Sequence, residues 1–211
     1  AVAEHKPNLV FLATPNNPTG TQWPRETVLK LIDQHPDVIT VVDEAYLAYC
    51  DAKSCIDLAL AHGNCVVLQT LSKIGLAALR VGMLVGQREL LAVVEKVRPP
   101  YNLTTLSQRA ALKLLVEHRK ELESHFEEVK RQRRALYDAL VELPGLEVFP
   151  SGGNFLLVRA QEARALHDAL VERGVLVRLF DAGLLAGCMR ITVGTPEENS
   201  WLLDAIKAAL A

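Results

Sequence analysis

No apolar run in these 211 residues approaches the ~20 that a membrane-crossing helix requires. The first eight residues hold no basic stretch followed by an apolar one, so no signal peptide is expected. A net charge of -2, with no basic segment and no helix-turn-helix pattern, argues against a general binder of nucleic acid or other polyanions. Cysteine is scarce. Cys50, Cys55, Cys65 and Cys188 form no CxxC pair and no spacing with histidine that suits a metal, which excludes a metal cluster and fits a reducing, cytoplasmic compartment. His5, His35, His62, His118, His125 and His167 are scattered and expected at the surface. There is no internal repeat and no low-complexity tract.

What is present is a chain that is 50% apolar, ample for a core in one ordinary domain or two small ones. Residues 8–13, 38–42 and 65–69 are short, β-branched-rich runs without alternation. Such runs are expected as strands buried on both faces, in a mostly parallel sheet between helices. A further strand is expected at 81–85, and helices at 24–34, 54–62 and 87–97, the last with Leu90, Leu91, Val94 and Val97 as its buried stripe. Pro99-Pro100 marks the expected boundary.

Beyond it, Thr105-Leu106-Ser107-Gln108 is expected to cap a helix, and a longer, heavily charged helix follows at 119–141. Short strands are expected at 146–149, 154–158, 175–178 and 189–193, with Cys65 and Cys188 as small core residues. Thr195-Pro196-Glu197-Glu198 combines an N-cap, a first-turn proline and a reciprocal glutamate, opening a final helix with Leu202, Ile206 and Leu210 inward. The expected fold class is α/β: a three-layer, mostly parallel sheet (residues 1–98), linking helices (99–141) and a smaller C-terminal α+β domain (142–211).

In parallel sheets ligands bind beyond the carboxyl ends of the strands. Three runs end there on chemistry-bearing residues: Asn17 after the first, Asp43 and Tyr46 after the second, Thr70, Ser72 and Lys73 after the third, with Arg80 shortly beyond. This set suits pyridoxal phosphate. Lys73 offers an amine for its aldehyde and Asp43 a carboxylate for its ring nitrogen. Asn17 and Tyr46 offer donors for its phenolic oxygen, and Thr70, Ser72 and Arg80 can grip its phosphate. Duller readings remain open for each. A lysine after a strand is commonly solvated, Asp43 could cap a strand end, Tyr46 could be a wall residue, and Arg80 could cap a turn.

Five segments carry a family resemblance: ATPNNPTG (13–20), VVDEAY (41–46), TLSKIGLAALRVG (70–82), SGGNFLLVR (151–159) and RITVGTPEEN (190–199). In that order they resemble the fold-type I pyridoxal-phosphate-dependent aminotransferases, and among them the histidinol-phosphate aminotransferase family. The resemblance implies that Lys73 bears the cofactor and serves as general acid/base, with Asn17, Asp43, Tyr46, Thr70, Ser72 and Arg80 as its binding residues. It implies Arg190 as the substrate-anion arginine, Arg178 beside it, Asn154 on the substrate side, 2-oxoglutarate as amino acceptor, a homodimer, and a place in histidine biosynthesis. The stretch from Lys73 to Arg80 is one residue shorter than the commonest family form, and Ala78 stands where glycine is frequent.

The resemblance begins partway through the family's large domain, so this chain is expected to be a fragment with little or no activity by itself. Other members of the fold, an aromatic or broad-range aminotransferase or a threonine-phosphate decarboxylase, are the nearest alternatives. A non-catalytic truncated or sensor-type module of the same fold is the alternative from a different class.

Overall fold

A computed structural model describes residues 2–210. The chain forms two compact units. The first comprises the chain up to Asn16 with Gln22–Glu123; the second comprises Asn17–Thr21 with the chain from Ser124 onward.

In the first unit a short helix, α1 (Val2–His5), precedes β1 (Leu9–Ala13), α2 (Arg25–Gln34), β2 (Ile39–Asp43), α3 (Ile56–Ala61), β3 (Cys65–Thr70), β4 (Gly82–Gly86), α4 (Arg88–Glu95) and α5 (Thr105–Glu117). The sheet order is β1-β2-β3-β4, parallel across the first three strands and antiparallel at the last. Parallel strands added in one direction through right-handed crossovers place their helices on one face. Accordingly Val28 and Ile32 of α2 and Leu58 and Ala59 of α3 share a single core with Val42, Cys65 and Val67.

The expected burial fails at two places. β1 has a strand on one side only, and its Leu9 and Phe11 are 50% and 66% exposed, so this run is not buried on both faces. The α4 stripe is not buried either: Leu90 and Leu91 are half-buried, Val94 is exposed and Val97 is 80% exposed. Periodicity identified the helix, but burial needs an opposing element, and none among the described residues covers that stripe. The cap of α5 also moves by one residue. Thr104, not Thr105, accepts from the Ser107 amide at 3.0 Å, because the threonine with extended backbone is the one outside the helix.

Thr40 in β2 is fully buried, and its hydroxyl has no hydrogen-bond partner among the described residues. Its register partners are Val10 and Cys65, so the side chain lies on the helix-covered face with Val42. An unmatched buried hydroxyl costs about 1–3 kcal/mol, and valine is its nearest apolar replacement in shape. Thr40→Val is therefore expected to stabilise the fold by about 1 kcal/mol. A denaturant midpoint unchanged or lowered in the variant would refute this.

α6 (Arg119–Val141) carries the boundary between the units, at Glu123 and Ser124. The second unit continues with β5 (Leu146–Phe149), β6 (Phe155–Ala160), α7 (Ala163–Glu172), β7 (Arg178–Phe180), β8 (Cys188–Thr192) and α8 (Pro196–Leu210). Its sheet is antiparallel throughout, in the order β5-β6-β8-β7. The strand expected at 175–178 is found at Arg178–Phe180, so it begins three residues later in sequence. Val175 instead closes the end of α7, its amide donating to the Leu170 carbonyl.

One sheet face, with Leu156, Val158, Met189 and Ile191, packs on Leu136 and Leu140 of α6, Leu166 and Leu170 of α7, and Leu202 and Ile206 of α8. The reciprocal cap of α8 forms as expected. The Thr195 amide donates to Glu198 at 2.8 Å, and the Glu198 amide donates to the Thr195 hydroxyl. Leu202 and Ile206 face inward, whereas Leu210 in the last turn is 37% exposed.

Candidate active site

In the first unit an open pocket of about 490 Å³ lies beyond the carboxyl ends of β2 and β3. Its floor follows from strand register. Asp43 pairs with Leu68, Leu68 with Leu84, and Thr70 with Gly82, so these side chains share the sheet face opposite the helix-covered core. Ala45, Gln69, Lys73 and Met83 complete the lining. The structure thus brings Asp43, Thr70 and Lys73 together. Asp43 turns the chain after its strand by accepting from the Ala45 amide at 3.0 Å. Tyr46 is buried, and the Lys73 amine stands 5.9 Å from the centre of its ring.

The loop after β3 is organised by its own backbone. The Leu71 amide donates to the Val81 carbonyl, and the Leu71 carbonyl accepts from Ile74 and Leu76. The Thr70 hydroxyl donates to the Val81 carbonyl at 3.3 Å and accepts from the Ser72 amide at 3.1 Å. Ser72 is therefore tied to the pocket through Thr70. Arg80 follows a single turn of 3-10 helix (Ala77–Leu79) and takes a left-handed conformation, φ 57° and ψ 33°. For a side-chain-bearing residue this costs on the order of 1–2 kcal/mol. The short spacing from Lys73 is thus closed by a tight turn that ends on a strained arginine. Arg80 is exposed and does not line the pocket.

The remaining candidates belong to the second unit. Arg190 of β8 and Arg178 of β7 are cross-strand partners and so share a face. The Arg190 guanidinium lies 5.5 Å from the Phe155 ring centre and donates through Nη1 to Oδ1 of Asn17 at 2.7 Å. Its Nε is buried without a hydrogen-bond partner among the described residues. Arg178 lies 5.9 Å from the Phe180 ring centre. Asn154 precedes β6, and its carbonyl accepts from the Val193 amide at 2.9 Å, which extends the pairing of β6 with β8.

Asn17 is held in this unit by the segment around Gly20. Gly20 has φ +72°, and a Cβ there would collide with Ser151, so only glycine fits. Its carbonyl accepts from the Gly152 amide at 2.8 Å, joining the NNPTG and SGG motifs.

Two residues of the first unit escaped the sequence reading. Glu44 is 3% exposed, and its carboxylate accepts from Ser54 Oγ and the Cys55 amide, both at 2.6 Å, and from Gln69 Nε2 at 3.0 Å. It ties the end of β2 to the start of α3 and to the pocket residue Gln69. Its acidic neighbour Asp43, directly after a β-branched run, was the available signal. The other is Tyr49, whose hydroxyl donates to the Lys73 carbonyl at 2.7 Å.

The chain matches the family described as aminotransferase class I and II over residues 1–206. It belongs to that family. Among curated relatives of this family member, histidinol-phosphate aminotransferase 2 of Burkholderia pseudomallei (strain 1710b) is 46% identical over 212 residues. That match covers all of this chain and 59% of the relative. Among solved structures, the histidinol-phosphate aminotransferase of Sinorhizobium meliloti in complex with pyridoxal-5'-phosphate superposes with a TM-score of 0.89 at 27% identity, over 99% of this chain and 59% of that one. The L-threonine-O-3-phosphate decarboxylase of Porphyromonas gingivalis gives 0.86 at 27% identity, over 96% and 64%. The chain thus spans about three fifths of the length of these curated relatives, 59% for the Burkholderia protein. No described helix is long and apolar enough to cross a membrane.

Proposed function

We propose that this chain carries the lysine, cofactor-binding and substrate-binding residues of a pyridoxal-phosphate-dependent aminotransferase that converts histidinol phosphate, with 2-oxoglutarate as amino acceptor. The observation that carries the reading is the pocket in which Asp43, Thr70 and Lys73 meet at the ends of two parallel strands. The donor set suits the cofactor: an amine, a carboxylate and a hydroxyl line a cavity of about 490 Å³, within the range of small-molecule sites. When bound, pyridoxal phosphate supplies an electron-accepting ring that stabilises negative charge on the substrate carbon.

The chain's own residues do the rest. Asp43 would hold a positive charge at the ring nitrogen, and Tyr46 would donate a hydrogen bond to the cofactor's phenolic oxygen, a role that the family resemblance extends to Asn17. Thr70, with Ser72 tied to it, would hold its phosphate; Arg80, which does not line the pocket, keeps a phosphate role only as the family resemblance implies it. The Lys73 amine anchors the cofactor and, when free, takes the proton from the substrate carbon that bears the amine. Arg190, with Arg178 on the same sheet face, receives the anionic end of the substrate. Two like charges paired across strands repel each other unless an anion lies between them, which supports this assignment. Asn154 stands on the substrate side. A homodimer acting in the cytoplasm is part of the same reading.

Threonine phosphate is the second candidate substrate, on the likeness to the Porphyromonas decarboxylase. Steady-state kinetics of the full-length protein with histidinol phosphate, threonine phosphate and phenylalanine distinguish the readings. Histidinol phosphate is expected to lead in kcat/KM by at least about tenfold, the discrimination that about 1.4 kcal/mol provides. Carbon dioxide release from threonine phosphate without amino transfer would overturn the proposal.

A further inference from the structure

Tyr49 ends the short turn that follows β2 (Leu47–Tyr49) and is 2% exposed. Its hydroxyl reaches 24 residues along the sequence to donate to the Lys73 carbonyl at 2.7 Å. Burial, with Tyr46 close by, pushes its phenol above the ordinary tyrosine value, so at neutral pH it remains a neutral donor. The neighbours of Lys73 are fixed from within their own loop, Leu71 by Ile74 and Leu76 and Ser72 by Thr70. The Lys73 carbonyl is instead held from outside, by Tyr49. The same turn meets the other end of the residue, since the Lys73 amine lies 5.9 Å from the ring centre of Tyr46.

We propose that Tyr49 is a positioning residue for Lys73: its buried hydroxyl fixes the backbone from which the lysine side chain springs, and so sets where the amine can reach. The inference rests on the proposed role of Lys73 as the cofactor-bearing amine. Lysine is a flexible four-carbon stem, so the placement of its root limits the arc of its amine. Displacing a reacting group by about 1 Å can cost on the order of 100-fold in rate.

The test is Tyr49→Phe in the full-length protein, with three readouts. Without cofactor, backbone amides 72–75 are expected to exchange with solvent deuterium about fivefold faster, with β2 and β3 unchanged, as one lost hydrogen bond of ordinary strength implies. With pyridoxal phosphate, kcat is expected to fall about tenfold while KM for the amino donor stays within about twofold, the signature of a misplaced reacting group rather than lost substrate binding. Incorporating p-aminophenylalanine at position 49, which keeps a donor in the same place, is expected to restore both.

Unchanged exchange and unchanged kcat in Tyr49→Phe would overturn the positioning role alone. So would a loss that the amino group does not rescue, because it would trace to packing. Borohydride reduction followed by peptide mapping of the wild-type protein separates this from the underlying reading. Pyridoxal phosphate fixed at a lysine other than Lys73 would overturn both.

Discussion

Lys73→Ala in the full-length protein is expected to lower kcat by at least about a thousandfold, because general acid–base catalysis by a positioned group contributes about 10²–10⁴-fold and this residue also anchors the cofactor. Lys73→Arg should be nearly as inactive. It keeps the positive charge, but a guanidinium stays protonated and cannot accept a proton at neutral pH. Neither change should unfold the protein. Lys73 is exposed, and its structural tie to the loop is a backbone carbonyl that any residue would supply to Tyr49. The side chain's contact with the Tyr46 ring, 5.9 Å away, is worth about 0.5–1 kcal/mol at an exposed site. Thermal unfolding measured beside steady-state turnover separates the two effects. Retention of more than a tenth of wild-type kcat in either variant would remove Lys73 from the chemistry.

Arg190→Lys should act differently, through substrate binding. Arginine presents a planar fork that lysine cannot reproduce, and here that fork is already oriented by the Phe155 ring and by Asn17 Oδ1. A hydrogen bond to a charged group contributes about 1.5–3 kcal/mol, and the loss of the fork forfeits such bonds even though the charge is retained. kcat/KM for the phosphorylated substrate is expected to fall about 30–100-fold, mainly through KM, which corresponds to about 2–3 kcal/mol. Arg178→Lys, at an exposed position on the sheet edge, should cost less than Arg190→Lys. A larger effect at Arg178 would reverse the order of the two arginines in the site.

The parts of this protein that rest on neighbours in sequence could be read from it directly. The α8 cap is a reciprocal arrangement of Thr195 and Glu198, three residues apart, and it forms as the pattern demands. α6 spans the residues expected, 119–141, because its apolar positions recur at the helical period over its whole length. The three parallel strands were legible as β-branched runs, and the positions of Asp43, Thr70 and Lys73 at or just past their ends followed from where those runs stop. Even the α5 cap was missed by only one residue. Two adjacent threonines present the same local signal, and only the backbone conformation distinguishes them.

What escaped were relations between residues far apart in the chain. An apolar stripe says that α4 has a face to bury, not whether anything covers it, and its Val97 is exposed. Glu44 reads as the unremarked neighbour of Asp43 until β2 and β3 lie in register and bring Gln69 to its carboxylate, 25 residues along. Tyr49 carries no signal of its own in the sequence until its hydroxyl meets a carbonyl in another loop. The longer helices, the three parallel strands, the α8 cap and the chemical groups at the strand ends were legible in the sequence, because periodicity and capping act over a few residues. Tertiary structure alone decided burial, the hold on Glu44 and Lys73, and the facing of Arg178 and Arg190. Those depend on register between strands, and register is a property of the assembled sheet rather than of any one segment.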